Sequence, residues 1–233
     1  MNLSIRAEDI MTPRRRLLNA MTDDEANQVA QENGFDAVPF INSDGSVREY
    51  WSKDANRRLP ITRRHRTLYD EPVERLLKVL GAHVIQFVFY RSEMVGLIDA
   101  SDLNKPRACL AWLEPMLELE RAILNAVVER KIDESKQFKA LGRDAKVTLK
   151  RQRAAKKHDL HLPLLQYAQF PHLLNAARNL GLIDLSNDEQ RELNIFRIGA
   201  AHGGGSVIKV RSDCERLAKA LADARKSAKG VSS

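Results

Sequence analysis

The strongest constraint on the fold is an internal repeat in the first 106 residues, where the same order of signals recurs after 47 positions. Gly34 aligns with Gly81 and, after a one-residue change of turn length, Asp54 aligns with Asp102. A repeat of this length cannot bury both of its faces alone, so two copies must stack to form a core. The first half is therefore predicted to be one duplicated unit.

Each copy carries the signals of a helix followed by a β-hairpin. In copy one, a capping box at Thr22–Glu25 begins the helix and Gly34 ends it. In copy two, Asp70 caps the helix and Gly81 ends it. With a strand before and a helix after each hairpin, we expect two β-α-β-β-α repeats that pack about a pseudo-twofold axis. The predicted hairpin strands are 37–41 and 47–51 in copy one, and 83–90 and 94–99 in copy two.

Three runs in this half resemble the CBS domain pair, also called a Bateman module. They are Asp9–Pro13, Gly34–Ile41 and Gly96–Leu103. The last is similar to the family's run of a glycine, two apolar residues, a Thr, two variable residues and an Asp. The resemblance implies a domain pair over 1–106, with copy one at about 5–57 and copy two at about 58–106.

The CBS family binds adenine nucleotides, and occasionally S-adenosylmethionine, in clefts between its two copies. The resemblance therefore implies AMP, ADP or ATP as a regulatory ligand, with S-adenosylmethionine less expected, and it implies no metal ion. By the same resemblance, Asp54 and Asp102 would accept hydrogen bonds from ribose hydroxyls. The other implied nucleotide-binding positions are Met11, Thr12, Ile61 and Thr62 around the base, Val38 and Ile85 nearby, and Trp51 and Asp99 where the family has its phosphate-contacting Thr.

The motif also departs from the family pattern. The Asp99 carboxylate would repel a phosphate unless a cation lies between them. Trp51 would either stack on a base or plug the cleft. The basic runs at 14–16 and 63–66 supply phosphate contacts or form solvated loops. An empty, purely structural CBS pair remains the alternative.

The second half is basic and its pattern is helical. Residues 107–233 contain 23 Lys/Arg and 15 Asp/Glu, against 15 and 16 in residues 1–106. This excess favours a polyanion, most often nucleic acid, unless it only solvates a Lys-rich surface. Apolar residues from Leu113 to Val128 follow helical spacing, and capping boxes occur at 186–189 and 212–215.

These signals predict an up-and-down bundle of four or five helices. Within it, residues 131–157 form either one solvated helix or two helices bent near Gly142. We expect a linker at 107–112, the bundle at 113–226 and a flexible tail at 227–233. The fold class is therefore α+β, with a duplicated mixed domain followed by an all-α domain.

Late in the predicted bundle, Arg197 is followed five residues later by His202. This resembles the signature of the HEPN superfamily, an Arg followed by four to six residues and a His. Many HEPN proteins are metal-independent ribonucleases that dimerise, so the resemblance implies RNA as a partner and a homodimer. Arg197 would stabilise the phosphate and His202 would act as acid or base. On an ideal helix the two positions lie roughly 140° apart, so they converge only if the helix ends between them or a partner chain completes the site.

Ile198 stands where catalytic HEPN members usually carry a polar residue. RNA cleavage, RNA binding without cleavage, and a dimerisation module therefore all remain open. In a purely structural role, Arg197 would pair with an acidic residue of its own helix, Asp188, Glu189 or Glu192, and His202 would cap the helix end. The preferred interpretation is a nucleotide sensor whose CBS pair controls a HEPN-like domain; the alternative is a non-enzymatic regulatory or dimerisation protein.

Cysteine content and hydropathy indicate the cell compartment in which we expect the protein. Two cysteines, Cys109 and Cys214, are too few for a disulfide scaffold or a cysteine zinc site. No apolar run approaches the roughly 18–20 residues of a membrane helix. We therefore expect a cytoplasmic protein without a membrane partner.

Overall fold

The computed structural model describes residues 5–160, 162–202 and 206–232, with only the backbone of His202 and Ser232. The chain is of the mixed α+β class, as predicted. Its described residues form two compact units. The first lies within Met1–Ala111 and Gly203–Ala218, and the second within Trp112–His202 and Lys219–Ser233.

The first unit contains the helices and strands of the repeat. It also contains short 3-10 turns at Arg14–Arg16, Arg63–His65 and Ala100–Asn104. The elements are α1 Ala7–Ile10, β1 Thr12–Pro13, α2 Asp23–Asn33, β2 Ala37–Ile41, β3 Val47–Ser52, β4 Arg57–Pro60, β5 Arg66–Leu68, α3 Val73–Ala82, β6 Ile85–Tyr90 and β7 Glu93–Asp99.

The ends of α2 follow the sequence signals closely. The Thr22 side chain accepts a hydrogen bond from the Glu25 backbone N–H at 3.3 Å, and the Glu25 carboxylate accepts one from the Met21 N–H at 2.8 Å. Gly34 ends the helix with φ of 69°, a left-handed conformation that favours glycine. The predicted cap and stop of this helix are confirmed.

The ends of α3 differ from the prediction. Pro72, rather than Asp70, precedes its first turn, and no side chain caps it. Gly81 lies inside the helix, which ends at Ala82. A Cβ atom at Gly81 would lie 3.4 Å from the Cγ of Glu215, an ordinary van der Waals distance, so this position neither ends the helix nor requires glycine.

The strands form two sheets. In the three-stranded sheet, β2, β3 and β4 pair antiparallel in that order. In the four-stranded sheet, with order β1-β7-β6-β5, strands β5 and β6 are parallel and the other pairs are antiparallel. A helix followed by a hairpin thus occurs twice, as α2-β2-β3 and α3-β6-β7.

Outside these hairpins, the two copies differ. No helix follows the first hairpin, because residues 53–56 form a turn that leads into β4. The strand β1 of copy one pairs with β7 of copy two, and β4, which lies almost entirely in copy two, pairs with β3 of copy one. By contrast, β5 pairs with β6 of its own copy. The prediction of β-α-β-β-α order is therefore wrong for copy one, because the turn at 53–56 takes the place of its final helix.

Two apolar clusters hold the first unit together. One contains side chains from both sheets, and the other lies between α2 and the three-stranded sheet. Strand alternation sends neighbouring residues to opposite clusters. The members are Ala37, Val47, Tyr50, Ile61, Ile85, Phe87, Phe89, Met94 and Leu97 in the first cluster, and Ala20, Ala26, Ala30, Val38, Phe40 and Trp51 in the second.

The second unit is helical in its described part. The segment 131–157 forms two helices separated by a 3-10 turn at Gly142, which has φ of 57°. The helices, two of which (α4 and α9) contribute residues to both units, are α4 Pro106–Glu129, α5 Glu134–Leu141, α6 Ala145–Lys156, α7 Phe170–Asn179, α8 Asn187–His202 and α9 Ser212–Ser232.

Several expected boundaries in this half differ from the structure. The expected linker 107–112 lies inside α4, and the expected flexible tail is helical to Ser232. The capping box at Ser186 and Glu189 is confirmed by reciprocal hydrogen bonds at 2.9 and 3.3 Å. The box expected at 212–215 is replaced by Asp213, whose carboxylate accepts hydrogen bonds from the backbone N–H groups of Lys209 and Val210 at 2.9 and 3.1 Å.

Candidate functional site

Strand register determines which positions of the two copies are equivalent. Ala37 lies opposite Ser52 in the first hairpin, and Ile85 lies opposite Asp99 in the second. The offset between the copies is therefore 48 residues in the leading strands and 47 in the returning strands. The sequence alignment had used 47 residues before the turn and 48 after it, so it misaligned both strands by one residue, which reverses the face to which each side chain points.

The corrected register changes the assignment of the phosphate-contacting position in copy one. The equivalent of Asp99 is Ser52, not Trp51. The Asp99 carboxylate accepts a hydrogen bond from the Asp102 N–H at 3.2 Å, and the Ser52 hydroxyl accepts one from the Ala55 N–H at 3.4 Å. Ala55 is therefore the equivalent of Asp102 in copy one, so copy one has no carboxylate at this position.

A cleft of about 760 Å³ opens in the first unit, between residues of both copies. We call it the main cleft. Its volume lies within the range of roughly 300–1,000 Å³ that small-molecule sites occupy. Its lining includes Thr12, Arg16, Leu17, Asp36, Ala37, Ile85, Leu97, Asp99, Ser101, Asn104, Ile208 and Lys209.

The walls of the main cleft combine apolar and charged groups. Leu17, Ile85 and Leu97 provide an apolar surface. The cations Arg16 and Lys209 have no ion-pair partner among the described residues, and both are exposed. Since an apolar wall suits a base and unpaired cations suit phosphate, this combination fits a molecule with both parts.

The segment Ser206–Arg211, which we call the return segment, forms one side of the main cleft. Asn104 anchors it: the side-chain amide donates to the Ile208 carbonyl and its oxygen accepts from the Ile208 N–H, both at 2.8 Å. Sequence reasoning missed this wall because it lies about 100 residues beyond the repeat. Local sequence carries no signal for such a long-range contact.

The three acidic candidates occupy different environments. Asp99 lines the main cleft, but one of its oxygens is used in the turn that follows β7. Asp102 is buried and pairs with the Lys105 ammonium at 2.5 Å, outside the cleft lining. Burial raises the pKa of Asp102, and the Lys105 contact opposes this rise. Asp54 is exposed and pairs with the Arg211 guanidinium at 3.1 Å.

Trp51 and Val38 face away from the main cleft. They lie opposite each other in the first hairpin, and both pack in the cluster beneath α2. Trp51 is 3% exposed. The prediction that Trp51 stacks on a base or plugs the cleft is wrong, because strand alternation directs its side chain to the helix side of the sheet.

Of the positions expected around the base, Thr12 and Ile85 line the main cleft. Met11 instead packs against β7, where a Cβ atom at Gly96 would lie 2.7 Å from the Met11 sulfur. Ile61 is buried in the cluster between the sheets. The Thr62 backbone N–H donates to Nδ1 of His65 at 3.2 Å.

A second, smaller cleft of about 130 Å³ is built from the equivalent elements of the opposite copies. Ser52, the equivalent of Asp99, lines it, together with Tyr50, His65 and His83. The Tyr50 and His83 rings lie 5.4 and 5.6 Å from the His65 ring. Burial, and then the neighbouring His83 and Arg64, lower the pKa of His65. This small volume suits water or one small group better than a nucleotide.

In the second unit, Arg197 is engaged within its own chain. Its guanidinium pairs with Glu120 at 3.2 Å and lies 4.7 Å from the centre of the Phe170 ring. The Nε atom is buried and has no hydrogen-bond partner. The partner is Glu120 of α4, not the expected acidic residues of α8.

The helix α8 runs unbroken from Asn187 to His202. The two motif positions of one chain are therefore roughly 140° apart around the helix axis. Of the two ways in which these residues were expected to converge, the helix does not end between them, which leaves completion of the site by a partner chain. The side chain of His202 and residues 203–205 lie outside the described part of the chain.

The described residues contain neither a metal-binding group nor a membrane-spanning helix. Among the described residues, no group of three or more His, Cys, Asp or Glu side chains is arranged to hold a metal ion. No described helix combines the length and the hydropathy required to cross a membrane.

Comparisons with known proteins add little. No family model and no curated protein matches the chain. Among solved structures, the chain is similar to one described as an uncharacterized conserved protein from Pyrococcus horikoshii, with 21% identity and a TM-score of 0.36. The similarity covers 44% of this chain and 92% of the other. At this TM-score the likeness assigns neither fold nor function.

Proposed function

We propose that the protein is a regulatory nucleotide-binding protein, in which the first unit is a CBS pair that takes an adenine nucleotide in the main cleft. One observation carries the proposal: the cleft joins an apolar wall to the unpaired cations Arg16 and Lys209. The base would lie on Ile85 and Leu97. Phosphates would lie near the two cations, which also offset the charge of Asp99.

Calorimetric titration of the full chain with ATP, ADP, AMP and S-adenosylmethionine tests this proposal. Lys209→Gln removes a phosphate contact and should weaken ATP binding about tenfold, with a smaller effect on AMP. Lys78→Gln, an exposed change on α3 away from the cleft, is the matched control and should leave the affinity unchanged. Absence of binding to wild type, or equal losses in both variants, would contradict the proposal.

A second proposed function is metal-independent RNA cleavage by a HEPN-like second unit, with Arg197 and His202 as the reacting pair. The continuous helix α8 supports only one form of this proposal, in which the Arg197 of one chain works with the His202 of another in a homodimer. The nucleotide in the first unit would then regulate cleavage. Arg197 would also have to exchange its contact with Glu120 for one with phosphate.

The non-enzymatic alternative is favoured by that same ion pair. An Arg that stacks on Phe170 and pairs with Glu120 has a structural role without any substrate. Incubation of labelled RNA with wild type and His202→Ala in EDTA, with and without ATP or AMP, separates the two. Cleavage by wild type that is lost in His202→Ala supports the enzyme. No cleavage, or equal cleavage by both, leaves the regulatory or dimerisation role.

A further inference from the structure

The net charge of the chain is concentrated in one segment of the second unit. Residues 131–172 contain ten Lys/Arg and four Asp/Glu, so they carry +6 of the total charge of +7. The helix α6, Ala145–Lys156, lies at the centre of this segment and has no acidic residue. An excess of charge in one segment creates a positive potential around that segment.

Three of the five positive side chains of α6 form a line with that of the residue after the helix; Arg151 and Lys156 lie outside it. Lys146, Lys150, Arg153 and the following residue, Lys157, recur at intervals of four, three and four, which places them within a narrow arc of the helix. All four are exposed, whereas Ala145, Thr148 and Gln152 on the opposite side are buried. We call these four residues the basic stripe. It extends for roughly 16 Å along the helix.

The basic stripe is not neutralised by the protein itself. Among the described residues, none of its four side chains has an ion-pair or hydrogen-bond partner. The nearby carboxylates are used elsewhere: Glu134 pairs with Lys156 at 3.8 Å, and Asp144 with His172 at 3.6 Å. The segment has two other acidic residues: Asp133 caps α5, and Asp159 lies two residues beyond Lys157, the last residue of the stripe. The stripe thus offers four cations to an external anion.

We propose that the basic stripe binds the phosphate backbone of a nucleic acid. A row of cations at regular steps matches a polymer with one negative charge per unit, and contacts to phosphate need no base recognition. A membrane surface fits less well, because a helix that lies in a bilayer interface presents large apolar or aromatic side chains there. On α6, Val147 is the exposed large apolar residue.

This proposal extends beyond the nucleotide cleft and does not require the Arg197–His202 motif. RNA and DNA share the phosphodiester backbone, so both are tested. Binding is measured by fluorescence anisotropy with labelled 20-mers: oligouridylate, duplex RNA and duplex DNA. Binding to vesicles of phosphatidylserine and phosphatidylcholine is measured as well.

The informative variant is Lys150→Gln/Arg153→Gln, and the matched control is Lys226→Gln/Lys229→Gln on α9, where both residues are also exposed. Loss of two phosphate contacts should lower the slope of log K against log salt by about 1.4 for single-stranded RNA, and weaken binding by more than about tenfold at 0.1 M salt. The control should retain the wild-type slope. Circular dichroism and ATP affinity should be unchanged in both variants.

Each other outcome counts against the proposal. If wild type binds no 20-mer, or if both variants lose affinity equally, the stripe is not the binding surface. Tighter binding to vesicles than to any nucleic acid, lost in the α6 variant, would assign the stripe to membranes.

Discussion

Asn104 makes two hydrogen bonds of 2.8 Å to the backbone of Ile208, across 104 positions of the sequence. One side-chain amide therefore satisfies both backbone groups of a residue in the return segment. Because Asn104 and Ile208 also both line the main cleft, the same contact that holds the segment shapes the candidate site.

Replacing Asn104 should loosen the return segment and weaken nucleotide binding together. Asn104→Ala leaves both Ile208 backbone groups without this partner and should cost about 1–3 kcal/mol in the free energy of unfolding. Urea denaturation and ATP titration measure the two effects. Asn104→Asp keeps the acceptor for the Ile208 N–H and should fall between wild type and Ala. Unchanged ATP affinity in Asn104→Ala would show that the return segment does not contribute to nucleotide binding.

Gly96 should tolerate no side chain, whereas Gly81 should. A Cβ atom at Gly96 would lie 2.7 Å from the Met11 sulfur and 2.8 Å from the Thr12 carbonyl oxygen, and the latter is fixed backbone. Gly96→Ala should therefore destabilise by about 1–3 kcal/mol. At Gly81 the nearest atom is the flexible Glu215 side chain at 3.4 Å, so Gly81→Ala is the mild control. Thermal melts of the two variants should differ clearly; similar melting temperatures would contradict the close approach of β1 and β7.

Arg197 and Glu120 should be energetically coupled. Their side chains are 29% and 28% exposed and lie 3.2 Å apart, so solvent screens the pair only in part. A double-mutant cycle with Arg197→Gln and Glu120→Gln should give a coupling of about 1 kcal/mol. The cycle is measured by urea denaturation at low and high salt. A coupling indistinguishable from zero at low salt would remove the structural role of this Arg.

His65 should make stability depend on pH near neutrality. Its pKa is lowered in the folded state, because burial and the adjacent His83 and Arg64 disfavour the charged ring. The unfolded chain therefore binds a proton first as the pH falls, so stability is present above the unfolded pKa of about 6.5 and is lost below it. His65→Asn keeps an acceptor for the Thr62 N–H and should flatten this dependence. The measurement is the free energy of unfolding between pH 5 and 8; an unchanged pH profile in the variant would contradict the assignment.

The comparison of Trp51 with Thr22 shows why some predictions succeeded and others did not. Thr22 caps α2 through Glu25, three residues away, so the signal and the interaction are both local. Trp51 belongs to a repeat whose strands are offset by 48 and 47 residues, and only the pairing of the strands reveals this difference. An error of one residue in a strand reverses the side chain's face, and this error placed Trp51 in the cleft.

The sequence alone determined the α+β class, the duplicated helix and hairpin, the capping of α2 and α8, and the concentration of positive charge in the second half. These properties depend on residues within a few positions of one another, or on composition. Only the tertiary structure decided that a turn and β4 follow the first hairpin, that Glu120 pairs with Arg197, and that the return segment forms a wall of the main cleft. Those contacts join residues that lie 9 to 157 positions apart in the sequence. They depend on how whole helices and strands pack against one another, which no local sequence pattern encodes.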